Sequence, residues 1–131
     1  MSSAAARRQY SQDGLGVVSN ARLLILLYER LDRDLAEAGR HCALGDRAGC
    51  HSAVVHAQEI LYELIGALDV DEWDVAKEIQ KIYVFCLNEI IEANLEQNAA
   101  RIEASRQLLL PLIEAFRTAS ITNSEPSAVR Q

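Results

Sequence analysis

Between Ala76 and Leu95 the chain reads AKEIQKIYVFCLNEIIEANL, about five helical turns without a glycine or proline. One apolar row runs Ala76, Ile79, Ile82/Tyr83, Cys86, Ile90, Ala93. A second runs Val84, Leu87, Ile91, Leu95. Steps of three and four residues are helical. Two rows cover more arc than one core-facing stripe needs. Either this helix is central in a bundle, or its second face receives a partner.

The flanking sequence supplies three more such segments. Ser19 and Asn20 are good N-cap types, and a helix over about 20–44 follows, with the row Leu23/Leu24, Leu27, Leu31, Leu35, Ala38. Gly39 lies inside it and should cost about 1 kcal/mol relative to Ala, so the last turn is expected to fray. Gly45 suits a left-handed helix stop and Asp46 a cap. The second helix is expected over 46–68, on Ala53/Val54, Ala57, Ile60/Leu61, Leu64/Ile65 and Leu68, with Gly49 and Gly66 weakening its ends. Asp69 to Asp71 is a turn, the third helix spans 72–97, and Asn98 caps a fourth over 99–119. Its row is Ile102, Ser105, Leu108/Leu109, Leu112/Ile113, Phe116, Ala119, and Pro111 interrupts it. Residues 1–18 read as a flexible N-terminal arm with Tyr10, Leu15 and Val17/Val18 as anchors, and 120–131 as a disordered tail. Short connections force antiparallel neighbours. The expected fold is all-α: an antiparallel up-down four-helix bundle over 19–119.

The 131 residues fit one domain, and the net charge of −6 opposes binding to nucleic acid or an anionic membrane surface. The longest apolar run, Leu23 to Tyr28, is too short to span a bilayer, and no signal peptide is legible. Three cysteines suit a reducing cytoplasm. His41, Cys42, Cys50, His51 and His56 crowd the first turn, but their spacing is wrong for zinc, and the bland alternative is surface histidines with small buried thiols. No Glu-x-x-His, P-loop, dinucleotide fingerprint or nucleophile elbow occurs. Neither catalysis nor a metal or other cofactor is expected. Tyr28 and Tyr83 each follow a core aliphatic, which places them at the core edge with the hydroxyl free to bond. Pro111 either kinks the fourth helix around the core or opens a groove beside the third. Asn94 is a candidate bond to the turn before the fourth helix.

Several segments carry a resemblance. They are Ser19-x-x-x-Leu23-Leu24-x-x-Leu27-Tyr28-Glu29, Gly45-Asp46, and Ala57-Gln58-Glu59-Ile60-Leu61-x-Glu63-Leu64-x-x-x-Leu68-Asp69, followed by Ile82-Tyr83-x-Phe85 and Ala93-Asn94-Leu95. In that order, over about residues 10–119, they resemble FliS, the bacterial flagellin-specific export chaperone family. Departures are Asn20 where the family often has proline, no Gly-Gly before the third helix, Glu89 near a common arginine, Phe116 in place of a tryptophan, and Pro111.

The resemblance implies a cytoplasmic chaperone that binds the C-terminal segment of flagellin, keeps it from polymerising early and passes it to the flagellar export gate. It also implies an N-terminal tyrosine, here Tyr10, covering part of the groove when the client is absent. The expected partner-binding residues are Tyr10, Leu24, Leu27, Tyr28, Tyr83, Val84, Leu87, Ile91, Asn94 and Leu95. A homodimer is a further candidate assembly. The competing readings are an adaptor or homo-oligomeric bundle without a flagellin client, and a metal-binding bundle using the His/Cys cluster.

Overall fold

Four apolar rows become four α-helices: α1 Gly16–Ala43, α2 Arg47–Ala67, α3 Asp74–Glu96 and α4 Ala99–Asn123. The computed structural model describes residues 16–69, 71 and 74–123. Tyr10, Leu15 and the segment 124–131 lie outside them. No strand occurs among the described residues, and the fold is the expected all-α bundle. Neighbours around the ring are α1–α2, α2–α3, α3–α4 and α4–α1.

The core alternates steps of three and four along each helix. From α1 come Tyr28, Leu31, Leu35, Ala38 and Cys42; from α3 come Ala76, Ile79, Tyr83, Cys86, Ile90 and Ala93. This spacing keeps one seam inward on helices crossing at a shallow angle. Side-chain size is graded along the bundle axis. Ala38, Cys42, Cys50 and Ala93 fill the end near the α1–α2 and α3–α4 turns. Tyr28, Tyr83 and the half-buried Phe116 fill the other end, with Tyr28 stacked on Phe116 at 5.3 Å and tilted against Tyr83 at 6.3 Å.

The turns are built as their residues dictate. Gly45 takes φ 80°, and the pair Asp46 N–H to His41 carbonyl (2.8 Å) and Gly45 N–H to Cys42 carbonyl (3.1 Å) closes α1 in a Schellman motif. Asp46 then caps α2, accepting from the Gly49 N–H at 2.9 Å. That bond, with His41 Nδ1 at 2.9 Å, holds the Asp46 carboxyl below its usual range. The α3–α4 turn repeats the pattern with a non-glycine residue: Gln97 sits at φ 53°, and Asn98 N–H reaches the Ala93 carbonyl at 2.8 Å. Gln97 Nε2 donates back to the Asn94 carbonyl at 2.7 Å, a local bond that offsets the left-handed backbone. Asn98 caps α4 through Arg101 N–H at 3.1 Å.

Several boundaries differ from the sequence expectation. α1 starts at Gly16 rather than near Asn20, so Val17 and Val18 belong to a helix and not to the arm. α4 runs to Asn123 rather than 119, taking 120–123 from the expected tail. α1 and α4 are antiparallel neighbours, tied by Arg106 Nε to Asp32 at 2.7 Å and Arg117 to Glu29 at 3.3 Å.

The glycines divide by surroundings. A methyl at Gly39 would meet only Ile102 Cγ2, at 4.0 Å, and α1 continues through Gly39 without fraying. A methyl at Gly49 would lie 2.5 Å from Asp46 Oδ2 and 2.7 Å from His41 Nδ1. Gly49 is therefore required by the cap, rather than being a weak start to α2. Gly39→Ala should raise stability by about 0.5–1 kcal/mol. Gly49→Ala should lower the urea midpoint. Urea unfolding followed by circular dichroism checks both signs.

Candidate protein-binding surface

α3 is the least embedded helix. α1 packs extensively on both α2 and α4, whereas α3 makes thinner contact with each of its neighbours. Its C-terminal half is pinned by polar groups. The Asn94 side chain bridges to α2, accepting from Cys50 Sγ at 3.5 Å and meeting His51 Nδ1 at 3.0 Å. The bond expected from Asn94 toward the α3–α4 turn is also present, through Gln97 Nε2 at 3.2 Å. On the α4 side the Arg101 guanidinium forks onto Glu89 at 2.7 and 3.1 Å and also holds Glu92 and Glu96. Arg101 keeps the Glu89 carboxyl below its usual range.

These pins fix the register of the α2–α3 seam. With Asn94 against His51, antiparallel counting sets Ile91 level with Val54, one residue before Val55, and Val84 level with Leu61, one residue before Tyr62. Leu95 and Ala48 line an open hollow of about 470 Å³ with Arg47, His51 and Asn94. Leu95 is 73% exposed, Tyr62 55% and Val84 41%, while Val55 and Ile91 are half-buried. The seam thus presents an apolar strip along most of its length. A separate apolar area lies on the α3–α4 side, where Phe85 (54%) and Leu108 (42%) are exposed beside half-buried Ile82.

The residues expected to bind a partner separate into groups. Val84 and Leu95 are on the surface, with Ile91 and Asn94 half-buried beside them. Leu24 and Leu27 are half-buried against the core at the aromatic end. Tyr28 and Tyr83 are buried in the core, which corrects their expected place at its edge, and Leu87 is buried too, which corrects its expected place on the partner-facing row. The two tyrosines sit inside because the aromatic end needs their volume. Leu87 sits inside because a three-residue step from Val84 turns about 60° back toward the helix's inner face. Tyr10 lies outside the described residues. Val55, Tyr62, Phe85 and Leu108 belong to no expected site. A signal for the first two exists: Ala48, Val55 and Tyr62 recur every seven residues on α2.

Burial pushes the Tyr83 hydroxyl well above its usual range. The Tyr28 hydroxyl is buried without a hydrogen-bond partner among the described residues. Such a group costs about 1–3 kcal/mol. Tyr28→Phe should therefore raise stability by about 1 kcal/mol in chemical denaturation. A loss instead would reveal a partner for the hydroxyl in the segments outside the described residues.

The histidines and cysteines do not converge. His41 pairs with Asp46 and Glu37, His51 with Asn94, and His56 with the buried Asp34, which also accepts from Arg30 at 3.3 Å. Cys42, Cys50 and Cys86 are buried free thiols, and burial pushes Cys50 up and Cys86 up to about 11. Among the described residues no group of three or more His, Cys, Asp or Glu is placed to hold a metal ion. No described helix is long and apolar enough to cross a membrane.

A scan against protein-family models matches residues 2–123 to the family described as flagellar protein FliS. The chain belongs to the FliS family. The match extends beyond both ends of the 10–119 span on which the sequence resemblance rests, and it takes in Tyr10 and all four helices. A comparison with curated proteins gives no match. FliS proteins are flagellar export chaperones, and a four-helix bundle with one thinly packed helix gives such a chaperone a face to spare.

Proposed function

We propose that this FliS-family chain binds the C-terminal segment of flagellin along the α2–α3 seam. It keeps that segment from polymerising and presents it to the flagellar export gate from the cytoplasm, by binding without chemical turnover. The observation that carries the reading is the apolar surface of Val84, Ile91 and Leu95 on α3, with Ala48 of α2 beside Leu95. The seven-residue step from Val84 to Ile91 suits a client helix whose anchors repeat at i, i+3, i+4 and i+7. Leu24 and Leu27 at the aromatic end extend the contact, and Tyr10 covers part of the seam when no client is bound.

A segment that folds as it binds gives up several kcal/mol to ordering, so the contact must be long. The seam runs most of the length of α2 and α3, which meets that need. Calorimetric titration of the chain with a flagellin C-terminal segment tests the proposal. A 1:1 complex with a negative heat-capacity change, and a gain of helical signal in the segment, is expected. Absence of binding by a correctly folded chain would favour the adaptor reading instead.

A further inference from the structure

The histidines and cysteines share no single site, but two of the cysteines adjoin. Cys42 lies in the last turn of α1 and Cys50 in the first turn of α2, and only Leu44, Gly45 and Asp46 connect the two helices. Both side chains belong to the same buried cluster. Their thiols are within hydrogen-bonding reach of each other. Cys50 Sγ also donates to Asn94 Oδ1 at 3.5 Å, so the pair sits beneath the tie between α2 and α3. Cys86 stands apart and donates to the Ser105 carbonyl at 3.8 Å.

We propose that Cys42 and Cys50 are a redox-active pair that closes into an intrachain disulfide across the α1–α2 turn. The oxidant is a small-molecule disulfide. The Cys42 thiolate attacks one of its sulfurs, the S–S bond breaks, and one small thiolate leaves. The Cys50 thiolate then attacks Cys42 Sγ in the mixed disulfide, and the second small thiolate leaves. The two cysteine protons end on the two released thiols; the pair loses two electrons and the small disulfide gains them. Cys42 takes the first exchange because it is 8% exposed while Cys50 is fully buried. Residues 43–48, which cover the pair, are all exposed, so only a thin turn must move to admit the oxidant. Burial pushes the Cys50 thiol up and keeps it protonated near neutrality, so the exchange accelerates as pH rises. Closure removes the S–H that Asn94 Oδ1 accepts and leaves that oxygen with Gln97 Nε2 at 3.2 Å. Oxidation beside the α1–α2 turn is thereby felt on α3. The inference concerns the chain alone and stands without the flagellin reading.

Incubation of the full chain with oxidised and reduced glutathione, followed by alkylation and tryptic mass spectrometry, tests it. A monomer short of two hydrogens is expected, with peptide His41–Arg47 joined to Ala48–Lys77 and Cys86 alkylated. Cys42→Ser and Cys50→Ser should each abolish the link, and Cys86→Ser should leave it. At one glutathione poise the ratio of disulfide to dithiol should be about tenfold or more higher in the folded chain than in urea, because the fold already holds the thiols together. The side-chain amide resonances of Asn94 should shift on oxidation. A chain that stops at the mixed disulfide, a link favoured only in urea, a link to Cys86, or Asn94 resonances unmoved by oxidation would each overturn the proposal.

Discussion

Val84→Asp combined with Leu95→Asp is expected to weaken capture of the flagellin C-terminal segment at least ~100-fold while leaving the helical signal unchanged. Both side chains are exposed in the free chain, so the substitutions remove no core contact. Burying two such side chains against a client contributes about 1.5–3 kcal/mol each when burial is complete. A hundredfold loss corresponds to about 2.7 kcal/mol, before the cost of drying two carboxylates is added. Leu87→Asp is the matched control. Leu87 is 8% exposed, and a carboxylate there has no charged partner in the core. On the order of 4 kcal/mol of stability should be lost, enough to unfold a small domain in part. Titration calorimetry with circular dichroism separates the two behaviours. If the surface variant unfolds, Val84 and Leu95 belong to the core; if it binds normally, the seam is not the site.

Pro111→Ala should produce the largest gain of stability available to a single substitution here. α4 runs through Pro111 from Ala99 to Asn123, and the ring lies on the exposed side. Replacement therefore opens no cavity. It restores an N–H for the Gln107 carbonyl, and proline in a helix interior costs about 3 kcal/mol. The more flexible unfolded chain returns part of that, about 0.4–1 kcal/mol. The net expectation is about 2 kcal/mol, read as a higher guanidinium midpoint with unchanged slope. A lower midpoint would show instead that Leu112, Ile113 and Phe116 reach the core only because the helix bends at Pro111.

The parts of this fold that depend on neighbours in sequence were legible, and the parts that depend on neighbours in space were not. The row through Ala76, Ile79, Ile82/Tyr83, Cys86, Ile90 and Ala93 is intrahelical, and every member is buried except Ile82, which is half-buried. Gly45, Asp46 and Asn98 serve as the stop and caps that their side chains suggested, because capping is decided within a few residues. The second α3 row was legible as a row but not as a surface. Its step from Val84 to Leu87 turns inward and its step to Leu95 turns outward, so one pattern holds both a core residue and the most exposed apolar side chain of α3. Tyr28 and Tyr83 went inside because Phe116, far away in sequence, completes an aromatic end that no single helix reveals. Gly49 read as a weakness until the Asp46 carboxylate and the His41 ring were seen against it.

The central claim is that the α2–α3 seam receives the flagellin segment, and methyl NMR of the chain titrated with that segment tests it most directly. Shift changes should concentrate on Val55, Val84, Ile91 and Leu95, with Leu26 on the outer side of α1 unmoved. Changes gathered on α1 and α4, with the four seam methyls still, would contradict it.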